Sequence, residues 1–195
     1  MQPVLKRCRT LGISPAVMGV NKESNRNPGP QRRSKKSEYA LQLTEKQKAK
    51  FIYGVLEKQF HAYYVKAASM KGNTGDELIT LLERRLDNVV FRLGLANTRR
   101  EARQLVDHGH FTVNGKRVNI PSYLVKMGDV IAVCDKSRSS AKFKKIVEDD
   151  RFVAAPKWLE KTKNAPLEGK VIAMPGRDDL DFELAVNLIV ELYSK

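Results

Sequence analysis

The octapeptide FTVNGKRV, residues 111–118, leaves the backbone little choice. Apolar and polar residues alternate on both sides of Asn114-Gly115, the dipeptide that favours a two-residue type I′ turn because Asn and Gly reach positive φ at low cost. The stretch therefore predicts an antiparallel hairpin with Phe111, Val113 and Val118 facing inward and Lys116 and Arg117 at or beside the turn. A lone hairpin is marginal in water. Its apolar face must be covered by neighbouring elements.

Two helical signals precede it. Thr74 to Glu77, TGDE, has the Ser/Thr-x-x-Glu/Gln form in which a hydroxyl meets an orphan amide of the first turn. It predicts one long helix whose Leu78, Leu82, Leu86, Val89, Val90 and Leu93 recur at helical spacing, ended by Gly94. Thr98 to Glu101, TRRE, predicts a second helix with a narrow apolar face of Ala102, Leu105 and Val106. Arg99, Arg100 and Arg103 fall on another face and are expected to point away from the core. A short strand, DVIAV from Asp129 to Val133, follows the turn at Met127-Gly128. Helices on a small antiparallel sheet define the expected class, α+β.

Towards the N-terminus, TEKQ from Thr44 to Gln47 predicts another helix start. That helix buries Phe51, Val55, Phe60 and Tyr64, keeps Lys46, Lys48, Lys50 and Lys58 largely off the apolar stripe, and meets a break or bend at Gly54. The residues before it are rich in Pro, Gly, Asn and Ser without a sustained apolar period and are expected to be extended or poorly ordered alone. Beyond the central unit, CDKSRSSAKFKK predicts a basic loop or helix start. Residues around Trp158 read as irregular, and LAVNLIVELYSK fits either helix or strand by period. The expected organisation is a basic arm over 1–43, a helical domain over 44–84 joined by 178–195, a small domain of two helices on a short sheet over 85–150, and an irregular extension over 151–177.

Charge narrows the partner. The 195 residues carry a net charge of +14, made of +9 up to residue 50, +8 over 51–146 and −3 beyond. Such a field favours a polyanion. No run of about 18 apolar residues is present to span a bilayer, and MQPVLKRCRT lacks the apolar stretch of a secretory signal. The expectation is a cytoplasmic protein whose partner is nucleic acid, not a membrane.

Catalytic patterns are incomplete. Gly109 to Lys116 imitates a phosphate-cradling loop, but five residues separate its glycines, Arg117 stands where Ser or Thr would hold a metal ion, and the stretch is a hairpin. The acidic pairs Asp149-Asp150 and Asp178-Asp179 read as solvated loop charge. Cys8 and Cys134, the two cysteines, lie far apart, and His108-x-His110 lacks further ligands for a tetrahedral site. No metal, cofactor, small-molecule substrate or active site is expected. Arginine forks and lysines on a rigid face suit phosphate oxygens, and nothing resembles a base-reading recognition helix, so shape-reading RNA binding fits best.

The stretch RRLDNVVFRLGLANTRREARQLVDHGHFTVNGKRVNIPSYLVKMGDVIAV resembles the small RNA-binding domain shared by small-subunit ribosomal protein four, some pseudouridine synthases, tyrosyl-tRNA synthetases and a heat-shock protein. The flanks SEYALQLTEKQKAKFIYGVLEKQF, KGNTGDELITLLERRLDNVVFRLG and LIVELYSK are similar to the bacterial-type ribosomal protein family, from about Ser37 onward. The resemblance implies a non-enzymatic constituent of the small ribosomal subunit that binds the five-prime domain of its rRNA and nucleates early assembly. It also implies a place near the mRNA entry channel, beside neighbouring ribosomal proteins, with influence on decoding accuracy. Arg92, Arg99, Arg100, Arg103, Lys116 and Arg117 match the family's RNA-facing positions, and Arg32, Arg33, Lys35 and Lys36 its basic arm near the messenger path; Lys46, Lys48 and Lys50 join them as candidate RNA-binding residues. PGPQRR replaces the Gly-Gln-His-Gly string of many relatives, and only Cys8 remains of the four zinc-binding cysteines of others. Alternative functions for the same module are RNA modification, for which Arg85-Leu86-Asp87 offers a short motif, and transcript-binding regulation.

Overall fold

The computed structural model describes residues 3–22, 37–148, 155–162 and 165–194. The chain forms two compact units, Met1–Gly75 with Asp181–Lys195, and Asp76–Leu180.

The first unit is helical. Its opening stretch is not wholly extended: α1, Val4–Leu11, ends at the left-handed Gly12, and a 3-10 turn spans Pro15–Met18. Cys8, Leu11, Ile13 and Met18 are buried. These apolar residues are too few to make a legible period, and a helix this short is marginal alone, so tertiary burial holds it. Helix α2, Glu38–Tyr53, starts at Ser37, whose Oγ accepts from the Ala40 amide at 3.3 Å. The start expected at Thr44 is thus corrected: Thr44 lies mid-helix and its hydroxyl donates back to the Ala40 carbonyl at 2.6 Å, the competing bond available to any helical Thr. Gly54, at φ 64°, ends α2, and α3 follows over Glu57–Ala68. The C-terminal segment resolves as helix α9, Val186–Ser194. It lies along α2, where the buried Gln42 donates to Glu191 at 3.2 Å and the Ala185 amide donates to Glu45 at 3.1 Å.

In the second unit the expected long helix divides into α4, Thr74–Glu83, and α5, Leu86–Arg92. Arg85 turns extended, with ψ 135°, and bridges to Leu124. The amides of Leu86 and Asp87 then donate to the Tyr123 and Pro121 carbonyls at 2.9 and 3.2 Å. A loop distant in sequence satisfies the new helix start, which makes the break tolerable. Asn73 Oδ1, accepting from Gly75 N at 2.8 Å, supplies a side-chain cap for the start of α4.

Helix α6, Arg99–Asp107, follows, with Thr98 Oγ1 accepting from the Glu101 amide at 3.1 Å as its capping signal predicts. The hairpin pairs β1, Phe111–Val113, with β2, Lys116–Val118, opposing Phe111 to Val118 and Val113 to Lys116. Asn114 and Gly115 have φ of 50° and 77°. Strand β3, Val130–Val133, pairs with β1, and the short helices α7, Asp135–Arg138, and α8, Ala141–Glu148, come next. The region expected to be irregular contributes β4, Leu159–Lys161, and β5, Glu168–Val171, completing an antiparallel sheet of order β2-β1-β3-β5-β4. These strands are too short for alternation to reveal. Gly169 of β5 admits the Leu93 side chain, which a Cβ there would obstruct. Leu93 joins Leu86, Val89, Val90, Ala102, Val106, Phe111, Ile131, Phe143 and Trp158 in the core.

Candidate nucleic-acid interface

Helix α6 carries its arginines on more than one face. Ala102 and Val106 are fully buried, while Arg100 and Arg103 are exposed. Arg99, expected to share their outward face, is only 5% exposed. Its Nε donates to Asn88 Oδ1 at 2.9 Å and its guanidinium stacks 4.4 Å from the Phe91 ring centroid. The aliphatic stem and flat guanidinium make such burial feasible once an acceptor and a ring are supplied. Arg99 therefore packs onto α5.

Arg92 is also inside, 7% exposed. Its Nε and Nη2 both reach the Glu83 carboxylate at 3.1 Å, and Asn88 Nδ2 donates to the same carboxylate at 2.8 Å. Glu83, Arg92, Asn88 and Arg99 thus form a continuous buried polar chain from α4 through α5 to α6. Beside it Asp87 accepts from Arg85 at 3.0 and 2.6 Å and from the Asn88 amide at 2.9 Å. The Arg-Leu-Asp string has a structural use here: its carboxylate fastens the first turn of α5.

Lys116 and Arg117 are exposed on β2. Arg117 also closes the end of α6, donating from Nε to the Gly109 carbonyl at 2.8 Å and from Nη2 to the His108 carbonyl at 3.0 Å. A cation suits these C-terminal carbonyls. Lys142 of α8, absent from the residues that sequence singled out, bonds the Glu101 carboxylate. Burial opposes that carboxylate's charge, yet Lys142 and the Asn97 amide hold its pKa below the ordinary value. The basic run around Lys142 is visible in sequence, but its meeting with α6 depends on the path of α7 and α8.

In the first unit, Lys46 and Lys50 both pair with Glu57, at 2.8 and 2.6 Å, and Lys48 pairs with Glu45 at 2.7 Å. Lys46 also sits 5.3 Å from the Tyr193 ring centroid. Arg32, Arg33, Lys35 and Lys36 lie outside the described residues. Among the described residues no cluster of His, Cys, Asp and Glu forms a metal-type set, and no helix is long and apolar enough to cross a membrane.

Comparison with known proteins agrees with this architecture. Residues 1–83 match the Ribosomal protein S4/S9 N-terminal domain family, and residues 84–131 match the S4 domain. The small ribosomal subunit protein uS4 of Lachnospira eligens is 57% identical over 99% of this chain and 97% of its own length. The protein of the same name from Fusobacterium nucleatum is 55% identical over 100% and 97%. That of Clostridioides difficile is 60% identical over 85% and 79%.

The chain belongs to the uS4 family.

Within this uS4-family chain, the S4-domain match covers α5, α6, β1 and β2 and ends inside β3. Lys142 and the β4–β5 hairpin lie beyond the match.

Proposed function

We propose that this chain is a structural constituent of the small ribosomal subunit, acting by binding rather than catalysis, and that its second unit binds the five-prime domain of small-subunit rRNA directly. Arg100 and Arg103 of α6, with Lys116 and Arg117 of β2, bind phosphates. The observation that carries this reading is the exposure of these four cations on rigid elements within a chain that matches uS4 relatives along almost its full length. Backbone phosphates need charge and position, not base-reading geometry. Arg92 and Arg99 are buried and Lys46, Lys48 and Lys50 are only half-exposed, so these five are left out of the phosphate-binding set; Arg32, Arg33, Lys35 and Lys36 enter through charge alone. On this reading the chain nucleates early assembly, meets neighbouring ribosomal proteins, and lies in the cytoplasmic ribosome near the mRNA entry channel, where it influences decoding.

The test is a salt titration of binding to a five-prime-domain transcript. Replacing both Arg100 and Arg103 with Gln preserves helix propensity and should reduce the magnitude of the log-affinity against log-salt slope by roughly 0.7 to 0.9 for each phosphate that is no longer neutralised. Wild-type affinity and slope in a folded double variant would overturn the assignment.

A further inference from the structure

His108 and His110, spaced like metal ligands, stand instead beside Arg117 of β2. The ring centroids of the two lie 6.1 Å apart. Arg117 from β2 grips the carbonyls of His108 and Gly109, and on α8 Lys142 adjoins Phe143, whose ring packs against that of His110. From α7, Ser137 Oγ lies 2.9 Å from His110 Nδ1. The Phe143 ring meets the imidazole edge-on at 6.0 Å, and Cys134 donates its amide to the His110 carbonyl. Glu101, the carboxylate that bonds Lys142, is also engaged by the Asn97 amide. The side chains that oppose protonation of the His110 imidazole are His108, Arg117 and Lys142, and Lys142 is itself bonded to the Glu101 carboxylate.

We propose that His110, with Arg117, Lys142 and Ser137, forms a phosphate-binding subsite that takes up a proton from solvent when an RNA phosphodiester docks. The inference rests on the RNA-binding reading above and adds residues beyond its four cations. Arg117 commits Nε and Nη2 to carbonyls and keeps Nη1 for an outside acceptor. Ser137 suits either protonation state of its neighbour, because a hydroxyl can donate to a bare Nδ1 or accept from a protonated one. His110 Nε2 then serves the phosphate as a charge-assisted donor.

The free protein resists this protonation. Burial first, and then His108, Arg117 and Lys142, keep the imidazole below its ordinary pKa of 6.5. A docked phosphate reverses the sign of the local field and favours imidazolium. Affinity for RNA therefore rises as pH falls through this window, by about tenfold for each unit by which the bound pKa exceeds the free one.

Calorimetry of the full chain with the five-prime-domain transcript, in two buffers of different ionisation enthalpy, measures the protons taken up. NMR titration of the His110 ring in wild-type protein, free and RNA-bound, measures the same shift without a mutation. The expected results are net uptake near pH 6.5, a higher His110 midpoint in the complex, and loss of that uptake in His110→Gln, with affinity reduced more at about pH 6 than at about pH 8. Binding without uptake, an unmoved His110 midpoint, or unchanged uptake in His110→Gln would overturn the subsite while leaving RNA binding by Arg100 and Arg103 intact. An equal midpoint rise with inorganic phosphate alone would reassign the site to the free anion and overturn the RNA assignment. Absence of RNA binding at every pH would overturn both.

Discussion

Arg99 and Arg100 adjoin in sequence and have opposite surroundings. Arg100 is exposed, whereas Arg99 hydrogen-bonds Asn88 and stacks on Phe91. Shortening Arg99 to Gln leaves the Asn88 oxygen without this charged donor and removes the stacked guanidinium. The expected loss is about 1–3 kcal/mol, the range for a buried hydrogen-bonded group that loses its partner. Arg100→Gln and Arg103→Gln should each cost under about 1 kcal/mol, as exposed charges usually do. Urea denaturation of the three single variants checks this ordering; equal stabilities would show that the buried chain from Glu83 to Arg99 adds nothing.

Short elements depend on their ends. The Thr98 hydroxyl satisfies the Glu101 amide while the Glu101 carboxylate reaches back to the Asn97 amide at 2.6 Å. Thr98→Ala should destabilise the second unit by about 1 kcal/mol, the usual cost of losing such a cap. Gly115, with φ 77° and open space where a Cβ would stand, isolates backbone conformation from packing. Gly115→Ala should cost about 1–2 kcal/mol, since an L-residue pays that for left-handed geometry. Thermal melts of both variants check the pair, and an unchanged Gly115→Ala transition would mean that the turn had relaxed to another type. Thr44, in a string of the same capping form, serves as the control. Its hydroxyl bonds a carbonyl mid-helix, so Thr44→Ala should leave the start of α2 in place.

At the scale of the molecule, the first unit joins distant parts of the chain through one carboxylate. Burial opposes the charge of Glu57, but hydrogen bonds from Lys46, Lys50 and Tyr193 bring its pKa down from 4.5 to about 2. Burial and the Glu57 bond raise the Tyr193 phenol well above its ordinary value. Because the folded carboxyl binds its proton less readily than the unfolded one, its contribution is complete above pH 4.5 and is lost as pH falls towards 2. Hydrogen exchange across α2 and α9 should show this loss, and Glu57→Gln should flatten it; the same acid profile in the variant would assign the sensitivity elsewhere. The hairpin, the Thr98 cap and the α+β class are legible in the sequence, because turn chemistry, capping and apolar period act over a few neighbouring residues. The division of α4 from α5, the inclusion of β4 and β5, the burial of Arg99 and the meeting of Lys142 with Glu101 are not. Each depends on a partner far along the chain: the 121–123 carbonyls, the β3 edge with Leu93 over Gly169, Asn88, and α8. Local sequence sets what a segment can form. Which polar groups become buried, and beside which charges, is decided only when packing brings those partners within hydrogen-bonding reach.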